Sequence, residues 1–199
     1  MSSSTTSPTL LSRIRNPEDK LAWREFDSRY GEMIVRYGRR CGLQLADAED
    51  IRQIVMMRLS KALVTFNYSP LRGKFRSFVG RIVRNEVIRF ISRPNIASRR
   101  VDSDSGELRE SVDEEKLDRQ WEREWADHHL RLAMRRLRQT YEPRSIKVFE
   151  QLLAGQTVER VATDFNMTTQ AVHKVKQRIR NRLKEFIAGQ ICEEDQPNG

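Results

Sequence analysis

The chain has 199 residues, a formal net charge of +9 and a pI near 10.0, so nucleic acid is the partner that its charge favours, ahead of an acidic protein surface or a membrane surface. No apolar run approaches the roughly 20 residues that span a bilayer, and the Ser/Thr-rich N-terminus lacks the apolar core of a signal peptide, so we expect a cytoplasmic protein. The two cysteines lack CxxC spacing and the adjacent His128 and His129 point apart on a helix, so neither a disulfide framework, a metal site nor a cofactor is indicated.

Residues 1–16 are rich in Ser and Thr and predict a disordered tail, after which residues 17–93 predict a first helical domain. Its first helix carries apolar and aromatic side chains every three or four residues, namely Trp23, Phe26, Tyr30, Met33, Ile34 and Tyr37. This spacing indicates an aromatic core face and not a row of base-stacking rings.

The second predicted helix follows Gly42. Asp47 is placed to cap it. Its expected buried stripe comprises Ile51, Val55, Leu59, Ala62, Leu63 and Phe66.

The third predicted helix, FRSFVGRIVRNEVIRFIS, follows the loop NYSPLRGK and is strongly basic. Arg81, Arg84 and Asn85 fall on the side opposite its apolar stripe. From Arg72 to Arg93 only Glu86 offsets the positive charge. Such a concentration favours contact with nucleic acid over an ordinary solvated face.

Residues 94–118 are acidic and poor in apolar side chains, which indicates a linker between two domains. Helical periodicity returns over residues 119–188, where Trp121, Trp125 and the residues that follow predict a small bundle. We expect residues 189–199 to form a tail. The expected fold is therefore all-α, with two small helical domains joined by an acidic linker.

The stretch from Thr157 to Arg182 predicts two helices joined by a tight turn. Asn166 tolerates a left-handed backbone and can end the first helix, and Thr168 or Thr169 can cap the second. The second helix has an apolar stripe and an opposite face of hydrogen-bonding and cationic side chains, namely Gln170, His173, Lys174, Gln177 and Arg178. We interpret this unit as a helix-turn-helix whose second helix reads duplex DNA, and not as an ordinary helical hairpin.

Four features follow one another along the chain: DAEDIRQIVMMRL, then GKFRSFVGRIVRNEVIRFI, an acidic linker and a C-terminal helix-turn-helix. In this order they resemble a bacterial RNA polymerase sigma factor of the sigma-70 family, in the extracytoplasmic function (ECF) group. The resemblance covers roughly residues 20–93 and 128–187. It implies a non-catalytic polymerase subunit with a domain that melts promoters, here 17–93, and a domain that reads the upstream promoter element, here 119–188. Core RNA polymerase, through its β′ and β subunits, and promoter DNA are the implied partners, and the resemblance allows for an anti-sigma factor.

The resemblance also implies roles for individual residues. In the family the DAED helix binds the β′ coiled coil, which corresponds to Asp50, Gln53 and Met57. Contact with the −10 element and its flipped base corresponds to Arg58, Phe66, Arg72, Lys74, Arg81, Arg84 and Asn85. Contact with the −35 element corresponds to Gln170, His173, Lys174, Gln177 and Arg178. The recognition helix reads AVHK where family members often have a Thr-Val-Arg-Ser type run, so the resemblance does not give the target sequence.

Two other functions fit parts of the pattern. A stand-alone helix-turn-helix regulator would bind a palindromic site without polymerase. A recombinase or nuclease would need a catalytic constellation, and only Ser77 near Arg76 and Arg81 offers a faint candidate for one.

Overall fold

The computed structural model describes residues 10–64, 75–93 and 113–195, and every regular element in these ranges is an α-helix. In chain order the helices are α1 (Leu10–Arg13), α2 (Lys20–Arg40), α3 (Leu45–Val64), α4 (Phe75–Ile91), α5 (Glu114–Thr140), α6 (Pro143–Leu153), α7 (Val158–Asp164) and α8 (Thr169–Asp195). They form two compact units. The described residues up to Ala126 and residues 193–195 belong to the first, and Asp127–Cys192 to the second.

The first unit is built on the aromatic face of α2. Asp19 caps this helix, because its Oδ1 accepts a hydrogen bond from the backbone N–H of Ala22 at 2.9 Å. Phe26, Tyr30 and Tyr37 are fully or almost fully buried, as the sequence predicts. The ring centroids of Phe26 and Tyr30 lie 4.6 Å apart, so the stripe is core.

Helices α3 and α4 pack against α2 with the predicted stripes. Ile51, Val55 and Leu59 of α3 are buried, and so are Val79 and Val83 of α4. Phe66 lies outside the described residues, so its place in the α3 stripe remains a prediction.

The predicted cap at Asp47 is wrong. α3 begins two residues earlier, at Leu45, and the Ala48 N–H donates to the carbonyl of Gln44 at 3.0 Å. Asp47 therefore lies in the first turn, where its charge still favours the positive end of the helix.

The N-terminal tail also differs from the prediction. Residues 1–9 lie outside the described part of the chain, but Leu10–Arg13 form α1 and Ile14 is fully buried in the first core. The apolar run of Leu10, Leu11 and Ile14 explains the difference, because these side chains pack against the first core.

The boundary of the acidic linker is corrected at its C-terminal end. Residues 94–112 lie outside the described chain, but Glu114–Asp118 already belong to α5. Trp121 and Trp125, which the sequence assigned to the C-terminal bundle, are only 1% and 4% exposed and pack in the first core. The ring centroids of Trp121 and Tyr37 lie 5.4 Å apart. Helical periodicity shows which side chains are buried but not which core receives them.

α5 approaches α4 closely at Gly80. A Cβ built on Gly80 would lie 2.8 Å from Cε2 of the Trp121 indole, which is closer than carbon atoms in proteins approach. Gly189, on α8, has no neighbouring atom within 4 Å of such a Cβ. A methyl group at Gly80 would therefore collide with Trp121, whereas one at Gly189 would meet no other atom, so the second glycine is a control for the first.

We expect Gly80→Ala to destabilise the first unit by about 1–2 kcal/mol, since overpacking against Trp121 exceeds the gain in helix propensity. Gly189→Ala should instead stabilise the protein by up to about 1 kcal/mol, because only the propensity gain applies. Thermal and urea unfolding followed by circular dichroism measures both effects. Equal stabilisation by the two substitutions would show that Trp121 does not pack on Gly80.

The second unit is held together by a core shared between α5, α6, α7 and α8. Its buried residues are Ala133, Met134, Leu137, Ile146, Val148, Phe149, Val161, Ala162, Val172, Val175, Ile179 and Phe186. Leu130 and Leu153 belong to the apolar pattern that follows Trp125 in the sequence, but they are 39% and 59% exposed. The chain leaves α6 through Gly155, whose φ of 89° suits glycine.

The predicted turn between α7 and α8 is present. Asn166 has a φ of 47°, the left-handed conformation expected of it. Thr168 caps α8, because its hydroxyl accepts a hydrogen bond from the Ala171 N–H at 3.1 Å, and Thr157 caps α7 through the Arg160 N–H at 3.2 Å. Asn166 and Thr168 thus fix the connection itself, whereas Thr157 fixes the start of α7. The apolar stripe of α8 is buried at Val172, Val175 and Ile179. α8 continues to Asp195, so the predicted tail at residues 189–199 is wrong at its start.

Candidate functional site

A shallow concavity of about 490 Å³ lies between α3 and the end of α4. It is lined by Asp50, Gln53, Ile54, Met57, Phe90 and Arg93. The four α3 residues occupy positions i, i+3, i+4 and i+7 and therefore share one helix face. The three predicted polymerase contacts, Asp50, Gln53 and Met57, are thus brought to one surface, and Met57 is 53% exposed.

A second concavity of about 300 Å³ adjoins the first through Gln53, which lines both. Its other lining residues are Trp23, Asp27, Arg52 and Met56. Exposed and half-buried methionines beside polar groups are typical of surfaces that adapt to a partner. Together the two concavities form the "α3 surface", with Gln53 at its centre.

Arg52 is fixed within the α3 surface by two carboxylates. Its guanidinium lies 2.8 Å from Asp27 on α2 and 2.7 Å from Glu49. Partial burial lowers the pKa of Arg52, but the hydrogen bonds and charges of Asp27 and then Glu49 outweigh it and raise that pKa above its usual value. Gly31 leaves the space for this ion pair, since a Cβ there would lie 2.6 Å from Asp27 Oδ1. Sequence reasoning missed this pair, because its partners come from different helices.

The predicted basic face of α4 is partly exposed and partly committed to ion pairs. Ser77, Arg81 and Asn85 are exposed and lie one helical turn apart in a single row. Arg84, in contrast, pairs with Asp118 of α5. The row therefore presents a cation and an amide to solvent.

Arg58 is also held within the first unit. It lies 2.9 Å from Glu86, a carboxylate that is only 5% exposed and that also pairs with Arg89 at 3.1 Å. A buried carboxylate needs such partners, so Arg58 has a structural role whatever else it contacts. The remaining predicted contacts, Phe66, Arg72 and Lys74, lie outside the described residues.

The outward face of α8 carries the predicted base and phosphate contacts. Gln170, His173, Lys174, Gln177 and Arg178 are all exposed, opposite the buried stripe of this helix. We call these five residues the "α8 face". Their donors and cations can contact base edges and phosphates, respectively.

Tyr141 positions one member of the α8 face. The guanidinium carbon of Arg178 lies 5.6 Å from the centroid of the Tyr141 ring, within the range of a cation–π interaction. The ring limits the directions in which Arg178 can point. No sequence pattern singled out Tyr141, which lies in the short segment before Pro143.

Comparison with known families gives a match over the segment that contains α3 and α4. Residues 26–95 match the family model of sigma-70 region 2. The matched segment contains α3 and α4 and therefore the Ser77–Arg81–Asn85 row and all of the α3 surface except Trp23. It begins at Phe26 within α2. The α8 face lies outside the sigma-70 region 2 match.

One solved structure is similar over most of the chain at low sequence identity. The structure of CnrH in complex with the cytosolic domain of CnrY is similar at 17% sequence identity and a TM-score of 0.36, with 90% of this chain and 96% of that chain covered. A TM-score this low carries no conclusion about fold or partners. A search of the curated proteins finds no significant match.

Within the described residues no group of three or more His, Cys, Asp or Glu side chains is arranged to hold a metal ion. His128 and His129 are buried, and His129 Nδ1 lies 2.8 Å from Oε1 of Gln190. The adjacent histidines therefore contribute to packing. None of the described helices combines the length and the apolarity that crossing a bilayer requires.

Proposed function

We propose that this protein is a sigma factor of the ECF group, which binds core RNA polymerase and directs transcription initiation at promoters with −35 and −10 elements. The match of residues 26–95 to sigma-70 region 2 carries the proposal. The net charge of +9 and the two polar, cation-bearing helix faces agree with a role on DNA.

The α3 surface is the proposed site for the β′ subunit. Asp50, Gln53 and Met57 line one concavity, and the neighbouring Arg52–Asp27 pair gives the surface a fixed charge pattern. An exposed methionine within a polar rim matches the composition of protein interfaces, where a few central side chains supply most of the binding energy.

Arg81 and Asn85, within the Ser77–Arg81–Asn85 row, are the proposed contacts with the −10 element. Opening a duplex costs about a few kcal/mol per unstacked step, which a protein offsets by binding an extruded base. Arg81 is suited to the phosphate backbone, and the Asn85 amide can hydrogen-bond a base edge. The two residues are exposed one turn apart, so one strand can contact both.

The α8 face is the proposed reader of the −35 element. Gln and Lys side chains in a major groove discriminate between bases by about 1–3 kcal/mol for a good bidentate pair. Two DNA readers in one chain gain affinity through effective concentration when a third body fixes their spacing. Core polymerase would fix the spacing between the −10 and −35 readers.

Transcription in vitro with purified core polymerase and a randomised promoter library tests the proposal. Transcripts should start downstream of templates that share two motifs at a fixed separation. Transcription no better than that of core polymerase alone would contradict a sigma factor. Selection of a palindromic site in the absence of polymerase would instead support the stand-alone regulator.

Substitutions on α8 should separate base reading from phosphate contact. We expect Lys174→Ala and His173→Ala to change the preferred base at particular upstream positions by about five-fold or more. Arg180→Ala, at the edge of the α8 face, should weaken binding evenly across sequences and flatten its salt dependence. Sequencing of templates selected from a randomised upstream element measures all three. If the three variants select the same bases with the same strength as the wild type, the α8 face does not read the element.

A further inference from the structure

Two exposed amide side chains meet in the middle of the outward side of α8. Nε2 of Gln177 donates a hydrogen bond to Oδ1 of Asn181 at 3.1 Å. The two residues are one helical turn apart, and their shared side lies opposite the buried Val172 and Ile179. The pair therefore points away from the core, in the direction proposed for DNA.

We propose that Gln177 and Asn181 form one reading unit, in which Gln177 recognises a single adenine in the duplex upstream element and Asn181 is the positioning residue that orients the Gln177 amide. The inference rests on the proposed function and names the base that this part of the α8 face takes.

The chemistry of the amide explains why adenine fits. Adenine presents in the major groove an N6 donor beside an N7 acceptor, which matches the oxygen and nitrogen of a glutamine amide. Nε2 of Gln177 has two hydrogens. One is donated to Asn181, and the other remains beside Oε1 for the base. The Asn181 contact thus uses a donor that adenine leaves free, and it fixes which end of the Gln177 amide is the donor.

The position of Asn181 along α8 separates its role from that of Gln177. A helix rises about 1.5 Å per residue, so Asn181 lies about 6 Å farther from the N-terminus of α8 than Gln177 does. Recognition helices contact base edges mainly with residues near their N-termini. Gln177 is within that part of α8, and Asn181 lies at its far edge.

The cations of the α8 face differ from Gln177 in the bases that they suit. Lys174 suits guanine, which presents two acceptors, and Arg178 is turned toward the Tyr141 ring at the flank of the helix. Compared with Lys174 and Arg178, Gln177 is therefore the residue whose donor and acceptor match adenine.

The test is selection of transcribed templates from a library randomised in the upstream element, with holoenzyme assembled from core polymerase and the full chain. The variants are Gln177→Ala, Asn181→Ala, the double substitution and Asn181→Asp. Alanine at either exposed helical position is compatible with the fold, and circular dichroism confirms this for each variant.

The wild type should prefer adenine at one position by about ten-fold, and Gln177→Ala should remove that preference. Asn181→Ala should reduce the adenine preference about two-fold at the same position only, because a pair of amide side chains one helical turn apart stabilises by about that much. In the Gln177→Ala background, Asn181→Ala should have no further effect. Asn181→Asp keeps the acceptor, so it should retain the adenine preference while its negative charge weakens binding to all sequences.

Three results would overturn the reading unit: a base other than adenine at the position that Gln177 controls, a preference left unchanged by Asn181→Ala, or an Asn181 effect that persists without Gln177. Each requires that the wild-type holoenzyme selects an upstream motif. A wild type that selects none contradicts the proposed function itself, so the two failures are distinguishable.

Discussion

Replacing both Asp50 and Gln53 by alanine is expected to weaken assembly with core polymerase by about ten-fold or more while leaving the fold intact. Both side chains are exposed and line the same concavity, so their loss removes polar contacts to a partner and none to the protein core. Surface substitutions of this kind change the free energy of unfolding by less than about 0.5 kcal/mol. A competition titration against labelled wild-type protein for core polymerase measures the loss.

The matched control replaces both Arg24 and Ser28 by alanine. These two exposed polar residues lie one turn apart on the side of α2 opposite its buried stripe. This control should leave both assembly and melting temperature near the wild-type values. If the folded Asp50/Gln53 variant binds core polymerase as tightly as this control, the α3 surface is not the β′ site.

The helical stripes were the part of the fold that the sequence predicted well. Val79 and Val83 on α4 and Val172 and Ile179 on α8 are buried as expected, because a soluble helix needs one apolar side. The turn at Asn166 was predictable for a different reason, since few side chains tolerate its backbone conformation.

Periodicity failed where it had to choose between cores. Trp121 and Trp125 have the same pattern whichever unit receives them, and the acidic residues before them obscured the start of α5. The short apolar run at Leu10 was likewise hidden by the Ser/Thr-rich sequence around it. These errors share a cause: burial depends on partners that are distant in the sequence.

The candidate sites show the same limit. The clustering of Asp50, Gln53 and Met57 on one side of α3 follows from helical spacing and could be predicted. The ion pairs of Arg58 with Glu86 and Arg84 with Asp118 could not, because each joins two helices. Two of the cations predicted to contact DNA thus have partners within the protein.

Because of these ion pairs, the proposed contact of α4 with the −10 element depends mainly on Arg81 and Asn85. With Arg84 paired to Asp118, Arg81 provides the exposed charge in the row, and Asn85 provides the amide. The two should act at different steps. A cation attracts duplex and single strand alike, whereas an amide that binds an extruded base acts only after the duplex opens.

We therefore expect Asn85→Ala to leave closed-complex formation near the wild-type level and to reduce open complex about ten-fold or more. The lost interaction is a hydrogen bond to a base whose partner is left unpaired, worth about 1–3 kcal/mol. Folding should be unaffected, because Asn85 is exposed and alanine is the better helix former. A template mismatched across the −10 region removes the cost of melting but not the lost contact, so rescue should be partial.

Permanganate footprinting of thymines on duplex and mismatched templates, beside a gel shift for the closed complex, separates these steps. Ser77→Ala, two turns away in the same row, is the matched control and should behave as the wild type. Arg81→Ala should instead weaken the closed complex and reduce its dependence on salt, because it removes a phosphate contact. Asn85 has no role in melting if its variant opens duplex DNA as well as the Ser77 control does, or if it loses binding and opening in equal measure, as a phosphate contact would.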